Sequence, residues 1–188
     1  MPRRQNLKEV EKVVQQRKLV CYIAASLDGY IATEDDSLEW LFKVEMEGDG
    51  GYTEFVKTID TVIMGRRTYE WIMEMEKGKF PYEGKECYVF SSKQTGSDEH
   101  VIFTSEDVPA FIERLRKRPG KDIWVIGGSL LIEAFLREGS IDEFIISVAP
   151  TLIGKGIPLF RQLDAEIEYE LKSVKQTGQF AQLHLTRK

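Results

Sequence analysis

Short apolar runs alternate with amphipathic segments along most of this chain. KLVCYIAAS (18–26) is apolar without helical period, the pattern of a strand buried on both faces. DTVIMG (60–65), KECYVFSS (85–92), HVIFT (100–104), residues 122–126 and EFIISVAP (143–150) read as strands in the same way. Between them, YTEFVKTI (52–59), RRTYEWIMEME (66–76), VPAFIERLRKR (108–118) and residues 129–138 carry helical spacing. Asp35, Asp36 and Ser37 precede LEWLFKV as a capped helical turn, and Ser105 or Asp107 suits the cap before Val108. EGDGG (47–51) is a glycine-rich break. Two alternating runs, EIEYELKSVKQ and QFAQLHLTRK, flank Thr177-Gly178 and predict a closing hairpin.

Strands alternating with helices predict an α/β domain, a mainly parallel central sheet between helical layers with an antiparallel C-terminal hairpin. The 188 residues fit one such domain over 18–188 behind a polar leader, 1–17. In the leader, Leu7, Val10, Val13 and Val14 fall at helical spacing, so it is either a short amphipathic helix or a frayed end.

Ligands of open α/β sheets bind beyond the carboxyl ends of the strands, which directs attention to four strand ends. In VIMGRRTYE, Gly65 ends a strand and Arg66, Arg67 and Thr68 open a helix. Arginine there opposes the helix dipole unless an anion is present, so the pair points to phosphate rather than to a solvated basic face. Ser91 and Ser92 either bond a phosphate or cap a turn. Gly127-Gly128 before Ser129 and Leu130 lets a pyrophosphate approach the backbone, or merely makes a tight turn. Ala24, Ala25 and Ser26 leave room for a flat ring, or for close strand–helix packing. Three phosphate-friendly ends in one sheet favour a dinucleotide across the carboxyl edge. The nearby acids are Asp28, Asp35, Asp36, Glu45, Glu47 and Asp49; Asp28 before Gly29 also reads as a turn residue, and Trp40 and Trp71 as core.

A net charge of −5 with dispersed basic residues argues against nucleic acid as the main partner. Cys21 and Cys87 lie in apolar runs and read as buried free thiols of a reducing cytoplasm. With His100 and His184 they form no zinc signature, and no run is long enough to span a membrane.

In their order, AASLDGYIA, VIMGRRTYEWI, YVFSS, VIGGSLLIEAF and ISVAPTLIGKGIPLF resemble the dihydrofolate reductase fold. They are most similar to the reductase domain of the bifunctional riboflavin-biosynthesis deaminase–reductases, over roughly residues 18–186. The resemblance implies a stand-alone NADPH-dependent reductase and a homodimer. It implies that Gly65, Arg66, Arg67, Thr68, Ser91 and Ser92 hold the adenosine end with its 2′-phosphate. Gly127, Gly128, Ser129 and Leu130 would then hold the pyrophosphate, and Ala24, Ala25 and Ile31 would line the nicotinamide. Tyr52, Ser147 and Thr151 become substrate-side candidates, and Asp28, Trp40 and Glu45 catalytic ones. The family's substrate is a ribosylamino-uracil phosphate, for which Lys43 and Lys155 are candidate anion ligands. Two departures stand out. Tyr52 falls where folate reductases carry an acid, which counts against folate reduction, and the H-x-E and P-C-x-x-C pair of the deaminase half is absent.

Overall fold

A computed structural model describes residues 16–188. The predicted leader, helix or frayed end, lies outside the described residues except for Gln16 and Arg17. Arg17 belongs to the domain rather than to a leader: it is buried, donates to the Lys121 and Leu115 carbonyls and to Thr61 Oγ1, and pairs with Asp60.

The strands are β1 (Leu19–Ser26), β2 (Tyr30–Ala32), β3 (Ile59–Gly65), β4 (Glu86–Phe90), β5 (Gly96–Ser97), β6 (Ile102–Thr104), β7 (Asp122–Gly127), β8 (Glu143–Ala149), β9 (Ile157–Pro158), β10 (Tyr169–Thr177) and β11 (Phe180–Arg187). The helices are α1 (Glu39–Phe42), α2 (Tyr52–Thr58), α3 (Arg66–Met75), α4 (Val108–Arg116) and α5 (Ser129–Arg137). The main sheet has the order β10-β11-β8-β1-β7-β3-β4-β6-β5. From β8 to β6 every pairing is parallel; β11, β10 and β5 add antiparallel edges.

Period-two alternation divides the core. Leu19 and Cys21 face the layer built by Phe111, Leu115, Ile132 and Phe135 of α4 and α5. Val20 and Tyr22, one residue out of phase, face Phe55 and Ile72 of α2 and α3. This is the three-layer α/β/α, dihydrofolate reductase-like arrangement. The apolar runs lack alternation because helices cover both faces.

Adjacent strands β3 and β7 feed helices on opposite faces, α3 and α5, which opens a crevice at the carboxyl edge between the two helix starts. The short β2 and β9 pair antiparallel beside the crevice. These two strands and β5 carried too little pattern to be predicted. At α4, Asp107 occupies the N-cap position but its side chain makes no capping bond.

Candidate active site

The crevice holds a cavity of about 770 Å³. Its phosphate-friendly rim is built by local backbone. Gly65 and Gly128 sit at the N-caps of α3 and α5, and neither helix start has a side-chain cap. The Gly127–Gly128 peptide is cis and Gly127 has φ +140°, which glycine adopts readily. A Cβ at Gly128 would lie 3.5 Å from Thr68 Oγ1, so the two helix starts nearly touch. In α5 the first intrahelical bonds run from Leu131 and Ile132 to the Gly128 carbonyl, leaving the Ser129 and Leu130 N–H groups ahead of them. Ser129 Oγ is buried without a hydrogen-bond partner. Arg66 pairs with Glu70 one turn on, and Arg67 Nε donates to Asp36 Oδ2 at 2.6 Å. All these pairs are partly exposed, so each contributes at most about 1 kcal/mol and yields readily to a stronger anion.

The floor is aromatic. Tyr22 and Trp124 stand two residues before Ala24 and Ile126 on the same strand faces, roughly 7 Å further down the strands. Tyr52, Trp71 and Tyr82 add from α2, α3 and the loop before β4. Trp124 packs edge-on against Tyr52, Phe55 and Tyr82 at ring separations of 5.9, 5.4 and 5.4 Å. Trp124 Nε1 donates to the Tyr22 carbonyl at 3.0 Å, and Tyr22 Oη to the Gly50 carbonyl at 3.0 Å. Burial pushes the phenols of Tyr22, Tyr52 and Tyr82 above the ordinary tyrosine value.

Of the residues read from the sequence, Ala24, Ile31, Tyr52, Gly65, Arg66, Arg67, Thr68, Gly127, Gly128, Ser129 and Leu130 line this cavity. The others do not. Ala25 faces the opposite layer, as strand alternation requires. Ser91 is buried and its hydroxyl accepts the Lys93 and Gln94 N–H groups, which makes it a turn cap, and Ser92 is exposed beside it. Ser147 Oγ, on β8 between β1 and β11, accepts from Gln182 Nε2 at 3.2 Å. Thr151 accepts the Leu27 N–H through its carbonyl.

The three catalytic candidates also lie outside. Asp28 accepts the Ser26 hydroxyl at 2.6 Å and the Gly154 N–H at 2.7 Å, with weaker bonds from Ile153 N–H. Those bonds, Ser26 first, hold its carboxyl below the usual range. It ties two loops together. Trp40 is buried against Ala149 and Phe180. Glu45 is exposed, and only its carbonyl is used, by Gln179 N–H. Lys43 is exposed and Lys155 pairs with Glu34 at 2.9 Å; neither reaches the lining.

Asp49, the acid nearest the start of α2, accepts the Gly51 and Thr53 N–H groups instead of entering the cavity. Sequence reasoning missed Tyr22 and Trp124; their two-residue offset from Ala24 and Ile126 places each on the cavity side of its strand but gives no sign that they meet. Trp71 had been read as core, and Tyr82 sits in a loop with no pattern. Among the described residues no cluster of three or more potential metal ligands occurs, and no helix is long and apolar enough to cross a membrane.

Fold and site together define a dihydrofolate reductase-like α/β domain with a glycine-rimmed crevice at the carboxyl edge of its sheet. The chain belongs to the RibD C-terminal domain family, whose match spans residues 17–183. It is 50% identical over 173 residues to the uncharacterized protein YwjB of Bacillus subtilis, covering 92% of this chain and 99% of that one. A Shewanella sp. PV-4 protein assigned to riboflavin biosynthesis superposes with a TM-score of 0.83 at 28% identity, over 91% of this chain and 99% of that one. The dihydrofolate reductase of Enterococcus faecalis, solved with NADP(H), shares the fold at a TM-score of 0.59 and 17% identity, over 92% and 97% of the two chains.

Proposed function

We propose that this chain is an NADPH-dependent reductase of a small heterocyclic or ribosylated substrate. The observation that carries the reading is the pair of uncapped helix starts meeting at Gly128 and Thr68, with the Ser129 hydroxyl buried beside them and unpartnered. A buried polar group without a partner costs about 1–3 kcal/mol, and a phosphate oxygen would satisfy it. The donor set fits a dinucleotide. Gly128, Ser129 and Leu130 would hold the pyrophosphate, and Arg66, Arg67 and Thr68 the adenosine end with its 2′-phosphate. Ala24 and Ile31 would flank the nicotinamide ring.

When bound, NADPH supplies a hydride at its nicotinamide C4. The chain's own part is to orient the two reactants. The β2–β9 pair contributes Ile31, Ala32, Ile157 and Pro158 to one wall of the cavity, and the aromatic floor closes the other. Reducing a C=O or C=N group takes that hydride plus one proton, which water brings in, since no carboxylate except the engaged Asp36 lines the cavity.

That same scarcity of acids supports a second reading, a dinucleotide-binding protein without turnover. One experiment separates them. NADPH should quench tryptophan fluorescence saturably, and its 340 nm absorbance should fall with a carbonyl and imine panel that includes dihydrofolate and the phosphoribosylamino-uracil intermediate. Binding without turnover across the panel would favour the second reading, and no saturable binding would overturn both.

A further inference from the structure

We propose that Arg161 is a further cofactor-binding residue, the cation that closes over the pyrophosphate of the dinucleotide from the β9 side of the cavity. The inference rests on the dinucleotide reading above and deepens it. Arg161 lies in the loop three residues after β9 and lines the cavity together with Gly128, Ser129 and Leu130.

The start of α5 presents neutral donors to an anion. The Ser129 and Leu130 N–H groups precede the first intrahelical bonds, and the Ser129 hydroxyl, on a residue 5% exposed, has no partner. Arg66 and Arg67 belong to the start of α3 and pair there with Glu70 and Asp36. Arg161 brings a cation to α5 itself: its Nε lies 2.8 Å from Glu133 Oε2. Glu133 stands four residues after Ser129 and three after Leu130. Helical side chains lean toward the N-terminus, so this carboxylate lies over the opening turn of α5. The guanidinium that touches it is thereby held beside the donors at the cavity rim.

Glu133 is a partner that Arg161 can leave. Its carboxylate is shared with Arg137, which donates from Nε at 3.1 Å and from Nη2 at 2.8 Å. Arg137 first, and Arg161 after it, hold the Glu133 carboxyl below the usual range. When Arg161 turns to a phosphate, Glu133 keeps Arg137, and no carboxylate is orphaned. The other carboxylate nearby, Asp164, contacts Arg137 at 3.8 Å. The Arg161 side chain is 44% exposed, so its pair with Glu133 is weak. A doubly charged pyrophosphate offers the planar guanidinium two adjacent acceptor oxygens instead. NADPH and NADH share that pyrophosphate and differ in the 2′-phosphate. Arg161 therefore acts on both alike, in contrast with Arg66 and Arg67.

Calorimetric titration of the full chain tests this. Arg161→Ala should weaken NADPH and NADH equally, by about ten- to fiftyfold, the loss of one charge-assisted pair. Adenosine 2′-monophosphate carries the 2′-phosphate without a pyrophosphate, and its affinity should stay within about twofold of the parent. Arg161→Lys should recover part of the loss, because it keeps the charge without the fork. The melting temperature should not move, since Arg137 still holds Glu133.

Unchanged dinucleotide affinity in Arg161→Ala would place the residue on the substrate side and overturn the inference. A loss confined to NADPH, or an equal loss for adenosine 2′-monophosphate, would overturn it as well. Should the alanine variant fail to fold, Arg161→Lys and Arg161→Gln decide: tighter binding of both dinucleotides by the lysine variant upholds the inference, and equal binding overturns it. If neither dinucleotide binds the parent, the dinucleotide reading falls by itself, and inorganic pyrophosphate decides the role of Arg161. Pyrophosphate binding that Arg161→Ala abolishes keeps the residue as an anion ligand; no binding, or binding that ignores the variant, overturns it.

Discussion

Arg67 and Asp36 close a salt bridge across the rim of the cavity, Nη2 to Oδ2 at 2.5 Å, between the first turn of α3 and the loop before α1. Asp36 takes a positive φ of 65° to reach it. One of the two arginines assigned to the 2′-phosphate is thus already neutralised by a carboxylate that the incoming phosphate must displace. Arg66Ala/Arg67Ala should weaken NADPH about hundredfold, the sum of two charge-assisted bonds, and NADH by less than about threefold. Asp36→Asn should act in the opposite direction and tighten NADPH. Fluorescence titration with both dinucleotides checks the set; equal losses for NADPH and NADH would remove the 2′-phosphate from this rim.

Ser129 offers a cleaner separation of stability from binding. Its hydroxyl is buried and unpartnered at the start of α5, so the free protein gains nothing from it. Ser129→Ala should leave the melting temperature unchanged or slightly raised, by up to about 1 kcal/mol of stability. NADPH affinity should nevertheless fall about tenfold, since a hydrogen bond to a charged oxygen is lost. A variant that melts earlier and binds normally would show that the hydroxyl serves the fold alone.

The sequence was most legible where burial leaves a pattern. Val20 to Ala25 and Ile123 to Ile126 are apolar because helices cover both sides of the sheet, and their strand nature follows from that. The phosphate rim was legible for a different reason: Gly65, Arg66, Gly127 and Gly128 act through backbone and helix starts, whose positions are set locally. The substrate end was not, because it depends on tertiary approach. Tyr22, Tyr52, Tyr82 and Trp124 come from four separate elements, and no spacing in the chain announces that they meet. Asp28 illustrates the reverse error. Its place in SLDGYIA invites a chemical role, yet its carboxylate is used up by the Ser26 hydroxyl and the Ile153 and Gly154 N–H groups.

That use of Asp28 can be tested on the cavity wall it helps to hold. Its carboxyl is held below the ordinary range, chiefly by Ser26, so its contribution is present above the unfolded value of about 4 and is lost as pH falls through the lower folded value. Asp28→Asn should fold normally but speed hydrogen exchange at Ile153 and Gly154, and dinucleotide affinity should fall modestly with it. Exchange at these two amides that is unchanged in the variant would disconnect Asp28 from the wall.

Gly156 tests the same wall sterically. A Cβ there would lie 2.2 Å from the Ala32 carbonyl oxygen, a backbone atom that cannot swing aside. Gly156→Ala should part β9 from β2 and cost about 1–3 kcal/mol, read by urea unfolding. The loss of NADPH affinity should exceed that of Gly154→Ala, where the added Cβ meets nothing within 4 Å and only the positive φ of 77° is strained.

The aromatic floor sets an alkaline limit. Burial raises the phenols of Tyr22, Tyr52 and Tyr82 in the fold, while the unfolded chain keeps tyrosines near about 10. Between those values the unfolded state binds fewer protons than the native one, so unfolding free energy declines with pH. Stability is therefore intact below about pH 10 and is lost as pH rises through the folded values. Tyr69 and Tyr169, each pushed by burial to about 12, steepen the same decline. Urea unfolding between pH 8 and 11 should show the fall beginning near about 10, and Tyr82→Phe should flatten part of it. A difference absorbance titration at 295 nm between parent and Tyr82→Phe decides the cause: a phenolate midpoint at the ordinary value would mean that Tyr82 is solvated, and the aromatic floor would then be open to water.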